Sequence, residues 1–251
     1  MDSLLAGVVA APDQDSPRLA YAAAIAAQDP DRSRFIELQV QIAAVERAAR
    51  GQSSPQARYA AEDLLKVHGG AWASRLCPPC TEVHYDRGFV EHVRLSMHDF
   101  LVHGATLFQL APIRHLDLSF SPGAAEQLFA SPLLSTVRSL NLDCCQLGDQ
   151  EMRWLAASPY LRELEWLELL RNNIGMPGAR ALAASTMLPQ LRYVGFFGNA
   201  VDPTEELFFD QGCVVGGALP EQGQALEAEF GRIPWLHLDA ATSWDVPPQR
   251  Y

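Results

Sequence analysis

The stretch Leu164-Glu165-Trp166-Leu167-Glu168-Leu169-Leu170-Arg171-Asn172-Asn173-Ile174-Gly175 decides the fold. Apolar residues stand at 164, 167 and 169, and the residues between them point the other way if the segment is extended. Asn172 follows where the chain must turn, and an asparagine side chain can bond the backbone of such a corner. The same spacing recurs at Val90/Val93/Leu95, Ile113/Leu116/Leu118, Val137/Leu140/Leu142 and Leu191/Val194/Phe196. The central apolar residues of these five sets lie 23, 24, 27 and 27 positions apart. A sixth set, Ile233/Leu236/Leu238, follows after a gap. A period of about 20–29 residues has room for a strand, a corner and a returning helix. The segments between the strands fit: 123–129, 150–157 and 178–184 have helical composition, and Pro132, Pro159 and Pro189 follow them.

Asn172, Asn199 and Cys145 occupy one column of this register. In that respect the array resembles leucine-rich repeats of the ribonuclease-inhibitor-like type, in which Asn or Cys holds that place. The resemblance implies an α/β leucine-rich-repeat solenoid, with parallel strands on a concave face and helices on a convex face. About five repeats would fill residues 89–201. Cys145 is then a buried ladder position, and Cys144 points the other way.

The first third reads as short helices. Ser3 to Ala10 forms one, stopped by Pro12, and Pro17 opens a second that runs to about Gln28. Phe35, Leu38, Ile42 and Val45 make one apolar stripe on a helix from about Arg32 to Arg50. After a turn at 51–54, with Ser54 as cap, Pro55 starts another helix that Gly69-Gly70 should end. Pro12-Asp13-Gln14-Asp15-Ser16-Pro17-Arg18-Leu19-Ala20-Tyr21-Ala22, with Arg34-Phe35-Ile36-Glu37-Leu38-Gln39, resembles the bacterial repeat-companion domain, a short module that precedes repeats. Leu64 to Trp72, followed by Arg87-Gly88-Phe89-Val90, resembles the segment joining that module to leucine-rich repeats. The family's Asp-Trp-Leu after Tyr-Ala is replaced here by Ala23, Ala24 and Ile25. The family brings architecture and no chemistry. Three regions are expected: 1–88, a small all-α companion and linker region; 89–201, the repeats; and 202–251, an acidic C-terminal cap with a last repeat-like strand.

Composition narrows the function. The 251 residues carry 30 acids and 19 bases, a formal charge of −11. That balance opposes binding to a phosphate backbone or an anionic lipid surface. Residues 202–251 hold 9 acids and 2 bases, so most of the imbalance sits there. No apolar run is long enough to span a membrane, and the start Met1-Asp2-Ser3-Leu4-Leu5 has no basic region of a secretory signal. Five cysteines are too few for a disulfide scaffold, which points to the cytoplasm.

No nucleophile motif, phosphate loop or paired-histidine zinc motif is present, so neither an enzyme nor a cofactor is expected. Cys77-Pro78-Pro79-Cys80 is the one segment with a redox or metal pattern, with His84, His68 or His103 as further ligands. A plain linker is the leading reading of it. The strand alternation supplies a better site. Its outward columns are His92, His115, Ser139, Trp166, Tyr193 and Trp235, then Arg94, Asp117, Asn141, Glu168, Gly195 and His237, then Ser96, Ser119, Asp143, Leu170, Phe197 and Asp239. The aromatic end suggests a partner-binding surface made of Trp166, Leu170, Tyr193, Phe197 and Trp235, with Glu168, Asp143 and His237. The competing account is that residues 202–232 fold back and cover those rings. The expected function is noncatalytic binding of a partner protein, and the acidic balance favours a basic one. Alternatives are an immunity or inhibitor protein neutralising a basic toxin or enzyme, and a metal- or redox-active protein using the Cys77–Cys80 segment.

Overall fold

The computed structural model describes residues 2–49, 55–204, 207–210, 213–216 and 218–237, with backbone alone at 2, 49, 207–210 and 213–216. The expected turn at 51–54, the positions Leu238 and Asp239, and the tail around Pro247-Pro248 lie outside them. The fold is α/β, and it divides into two compact units: residues 1–95 with 103–114, and residues 96–102 with 115–251.

The first unit opens with four helices, α1 (Asp2–Ala10), α2 (Asp15–Ile25), α3 (Pro30–Ala49) and α4 (Pro55–Trp72). The apolar stripe of α3 is buried at Phe35 and Leu38. Val8, Ala22, Ile25, Ile36, Val40 and Phe89 form a core, with Leu5 and Tyr21 against it. The expected stop at Gly69-Gly70 does not occur, and α4 continues to Trp72. Packing overrides the weak helix propensity of glycine there, because the Tyr85 hydroxyl donates to the Gly69 carbonyl at 2.8 Å.

The region expected to be all-α also holds a strand. β1 (Glu82–Asp86) pairs antiparallel with β2 (Phe89–Ser96), which was expected as the first repeat strand. Polar Glu82, His84 and Asp86 hide β1 from an apolar-pattern reading. The link is a two-residue hairpin, Arg87-Gly88, with φ of 44° and 85°. Both positions require the left-handed region, as in a type I′ turn. A Cβ on Gly88 would come within 2.7 Å of Ile36, so only glycine fits.

Beneath the hairpin lies a charged core. Arg18 is fully buried and pairs with Glu91, itself 2% exposed, at 2.6 Å. Arg87 reaches the same carboxylate at 3.1 and 3.2 Å. Arg18 also donates to the carbonyls of Pro12, Asp86 and Arg87, and Arg87 to those of Pro12 and Asp13. These bonds tie the α1–α2 loop to the hairpin.

In the second unit, β3 (His115–Ser119), β4 (Ser139–Asn141), β5 (Trp166–Glu168) and β6 (Tyr193–Gly195) run parallel in chain order. Their register aligns Leu116, Leu140, Leu167 and Val194 in one column, each at most 1% exposed. Leu118, Leu142, Leu169 and Phe196 are buried beside them. The returning helices are α6 (Ala125–Phe129), α7 (Asp149–Ala156), α8 (Met176–Ala183) and α9 (Glu221–Phe230), each packed on the next. The α5 helix (Met97–Leu110) precedes β3 and has residues in both units.

The corner column behaves as the sequence suggested. Asn172 Oδ1 accepts from Leu147 N at 3.0 Å, and its Nδ2 donates to the carbonyls of Leu142 and Leu169 at 2.9 Å. Asn199 repeats this on Ile174 N, Leu169 O and Phe196 O. Cys145 is buried and donates its thiol to Leu118 O at 3.1 Å. Burial pushes that thiol up to about 12, so it is inert as a nucleophile. Cys144 is exposed.

The C-terminal segment departs from expectation. Two further strands, β7 (Leu207–Asp210) and β8 (Cys213–Gly216), pair antiparallel in a region expected to hold only one late repeat-like strand. The α9 helix packs on α8, and Arg180 pairs with Glu229 at 2.8 Å. Pro234–Leu236 is a 3-10 turn, not the start of a strand. Pro234 at its first position presets the turn and has no N–H to give a ladder.

Candidate functional site

The outward face of β3–β6 carries the candidate site. The register places His115, Ser139, Trp166 and Tyr193 in one column and Asp117, Asn141, Glu168 and Gly195 in the next. The Trp166 and Tyr193 rings stack face to face, with centroids 3.6 Å apart and planes 13° from parallel. Trp166 is only 8% exposed, which a half-solvated sheet face did not predict. Its indole Nε1 donates to Glu168 Oε1 at 2.9 Å.

Glu168 is the unusual group. It is 7% exposed, and its Oε2 is buried with no hydrogen-bond partner among the described residues. Burial pushes its carboxyl up to about 7, against the opposing bond from Trp166. The carboxyl lies over Gly195: a Cβ there would meet Glu168 Oε2 at 2.0 Å and Leu170 at 2.8 Å. Gly195 is therefore what admits the carboxyl, a role that alternation alone does not reveal. The sequence clue was a glycine closing a column of Asp, Asn and Glu.

Asp143 flanks this pair. Its Oδ1 accepts from Leu170 N at 2.7 Å and its own N–H donates to Asn141 at 2.8 Å. Burial pushes its carboxyl up, partly offset by the Leu170 N–H and by the Asn141 side chain. The Tyr193 phenol is raised too, by burial and then by the charges of Glu168 and Asp143. Leu170 is half-buried, while Phe197 is 68% exposed.

Asp143, Trp166, Glu168, Leu170 and Tyr193 are thus brought together, with Phe197 beside them through the Arg171 N to Phe197 O bond at 2.9 Å. Two expected members are elsewhere. Trp235 is 6% exposed and packs on Phe196 of the buried column, 5.9 Å between centroids. His237 meets Glu227 of α9 at 2.8 Å. Both follow from the 3-10 turn, whose threefold period replaces strand alternation.

The second candidate, Cys77–Cys80, follows α4 in the first unit. Cys80 is buried and Cys77 half-buried, and burial raises the Cys77 thiol, the wrong direction for a nucleophile. His84 pairs with Glu82 at 2.9 Å and His68 with Asp31 at 3.2 Å. No group of three or more His, Cys, Asp or Glu is placed to hold a metal among the described residues. No helix among them is long and apolar enough to cross a membrane.

No family model matches the chain, and no curated protein matches it in sequence.

Glu168 gives a direct test of this geometry. Its folded carboxyl titrates near 7 and an unfolded one near 4.3, so the folded state binds the proton more tightly. The stabilisation is complete below the unfolded value and is lost as pH rises through 7. Glu168→Gln should remove that loss. Urea melts at pH 5 and pH 8 should show the variant gaining on the parent at pH 8. Equal pH dependence in the two proteins would mean that Glu168 is solvated.

Proposed function

We propose that the second unit is a leucine-rich-repeat solenoid that binds a partner protein on its strand face, without catalysis. Three observations support the solenoid. They are the parallel register of β3–β6, the Cys145/Asn172/Asn199 corner column, and the consecutive packing of α6 to α9. The companion-type reading of the first residues adds a module that precedes such repeats.

The observation that carries the binding reading is Phe197 beside an acidic, aromatic face. A phenylalanine 68% exposed at the end of a sheet face that carries Asp117, Asp143 and Glu168 is poor for solvation and good for anchoring a partner. The face carries Asp117, Asp143 and Glu168, so a basic partner is the electrostatic match. The same charge favours, as a second reading, a protein that neutralises a basic toxin or enzyme.

The test is affinity capture on the immobilised full chain from the native host, read by mass spectrometry at low and high salt. One basic protein should be enriched, with weaker capture at high salt. Phe197→Ser should cut its recovery about tenfold, the equivalent of losing a moderate interface hot spot. Phe197 is exposed, so this variant keeps the fold. Recovery of the same partners by Phe197→Ser and by Trp166→Ala would exclude the strand face.

A further inference from the structure

The first unit contains a cavity of about 280 Å³ that the strand-face reading does not use. Its apolar walls include Leu5, Tyr21, Ile25, Trp72 and Phe89, and Arg32 of α3 forms part of the lining. This guanidinium faces rings rather than acids. It stands 4.7 Å from the centroid of Trp72, 5.2 Å from Tyr85, 5.4 Å from Phe89 and 5.6 Å from Phe35. Arg32 Nη1 is shielded from solvent and has no hydrogen-bond partner among the described residues.

Ring faces attract a cation but accept none of its hydrogen bonds in the plane of the guanidinium. A buried charge without such acceptors is costly, and a carboxylate is the group that fits the planar fork. The contrast with Arg18 in the same unit is direct, because Arg18 has a carboxylate and three carbonyls around it. The acid in the lining, Asp29, accepts from Arg32 N–H through its Oδ1 at 2.9 Å and so caps α3. Arg75 lies at the same cavity, leaving two bases to one acid.

We propose that this cavity binds a small monocarboxylate with a compact apolar body, an aryl or short alkyl acid, its carboxylate on Arg32 and its body against Tyr21, Trp72 and Phe89. The volume lies at the low end for ligand sites, which limits the body to about one ring. The ligand balances the half-buried cation at its shielded Nη1, and its apolar part replaces water on aromatic walls. This site stands independently of any partner on the strand face.

Calorimetric titration of the full chain with sodium benzoate and sodium hexanoate tests it, with benzamide and inorganic phosphate as controls. Benzamide keeps the ring and lacks the charge; phosphate keeps the charge and lacks the body. The expected result is saturable one-to-one binding of a carboxylate and at least about tenfold weaker binding of both controls. Arg32→Gln should weaken the carboxylate at least about tenfold. Ala111→Leu, which fills the cavity from a buried lining position and leaves Arg32 in place, should do the same. If Arg32→Gln does not fold, Ala111→Leu decides. Absence of saturable binding by both acids, equal binding of either control, or unchanged binding to a folded variant would overturn the proposal.

Discussion

Glu91→Ala should lower the stability of the first unit by on the order of 3–5 kcal/mol, because it strands the buried Arg18 and takes the nearest carboxylate from Arg87. Arg18 has no exposed surface and Arg87 is 9% exposed, so water cannot replace the lost carboxylate at either. Both guanidinium groups would keep their carbonyl bonds to the α1–α2 loop and the hairpin, and Arg87 its longer pairs with Asp86 at 3.5 Å and Asp15 at 3.6 Å, but Arg18 would lose the carboxylate 2.6 Å away. The loss propagates through the fold, since those same bonds hold Pro12 and Asp13 against Arg87. Thermal melting should fall by roughly ten degrees for a chain of this size. The control is Glu82→Ala, which breaks an exposed pair with Arg94 at 2.9 Å and should cost less than about 1 kcal/mol. Similar losses in the two variants would mean that the buried triad contributes no more than a surface pair.

That triad also marks what the sequence could not convey. Arg18 and Glu91 are 73 residues apart, and nothing in local pattern joins them. Their burial depends on tertiary closure, with the hairpin turn at Arg87-Gly88 bringing the second arginine in. The four N-terminal helices were legible because their stripes and proline starts are local signals. The strand β1 was not, because its outward residues are polar and its pairing partner supplies the apolar face. In the second unit the apolar spacing located β3 to β6 and the corner column, since these strands pair with their neighbours in chain order. The spacing failed at Pro234–Leu236, where the apolar positions were right and the backbone was not. A proline-started 3-10 turn shows apolar residues at 233, 235 and 236 just as well as a strand shows 233, 236 and 238. The candidate site was half legible. Alternation chose the correct face for Trp166, Glu168, Tyr193 and Asp143, but it treats every outward residue as solvated. What buries the Glu168 carboxyl is a ring stack from one side and a missing Cβ at Gly195 from another, and both are neighbour effects across strands.

The corner column makes the second large prediction. Asn172→Ala should destabilise the second unit by on the order of 3–5 kcal/mol, more than Asn199→Ala or Cys145→Ala. Asn172 is 5% exposed and serves four backbone groups: Leu147 N and the carbonyls of Leu142, Leu169 and Leu170. Alanine leaves them in a site that water reaches poorly, and each stranded buried group costs about 1–3 kcal/mol before relaxation. Asn199 serves three groups but is half-buried, so water can take over part of its work. Its replacement should cost about 1–2 kcal/mol. Cys145 supplies one weak sulfur bond, and alanine there leaves only a sulfur-sized void, again about 1–2 kcal/mol. The order follows from satisfied groups and burial together, not from residue type. Chemical denaturation of the three single variants measures it directly. A larger loss for Asn199→Ala than for Asn172→Ala would show that the column is held by the end of the array rather than by its buried middle.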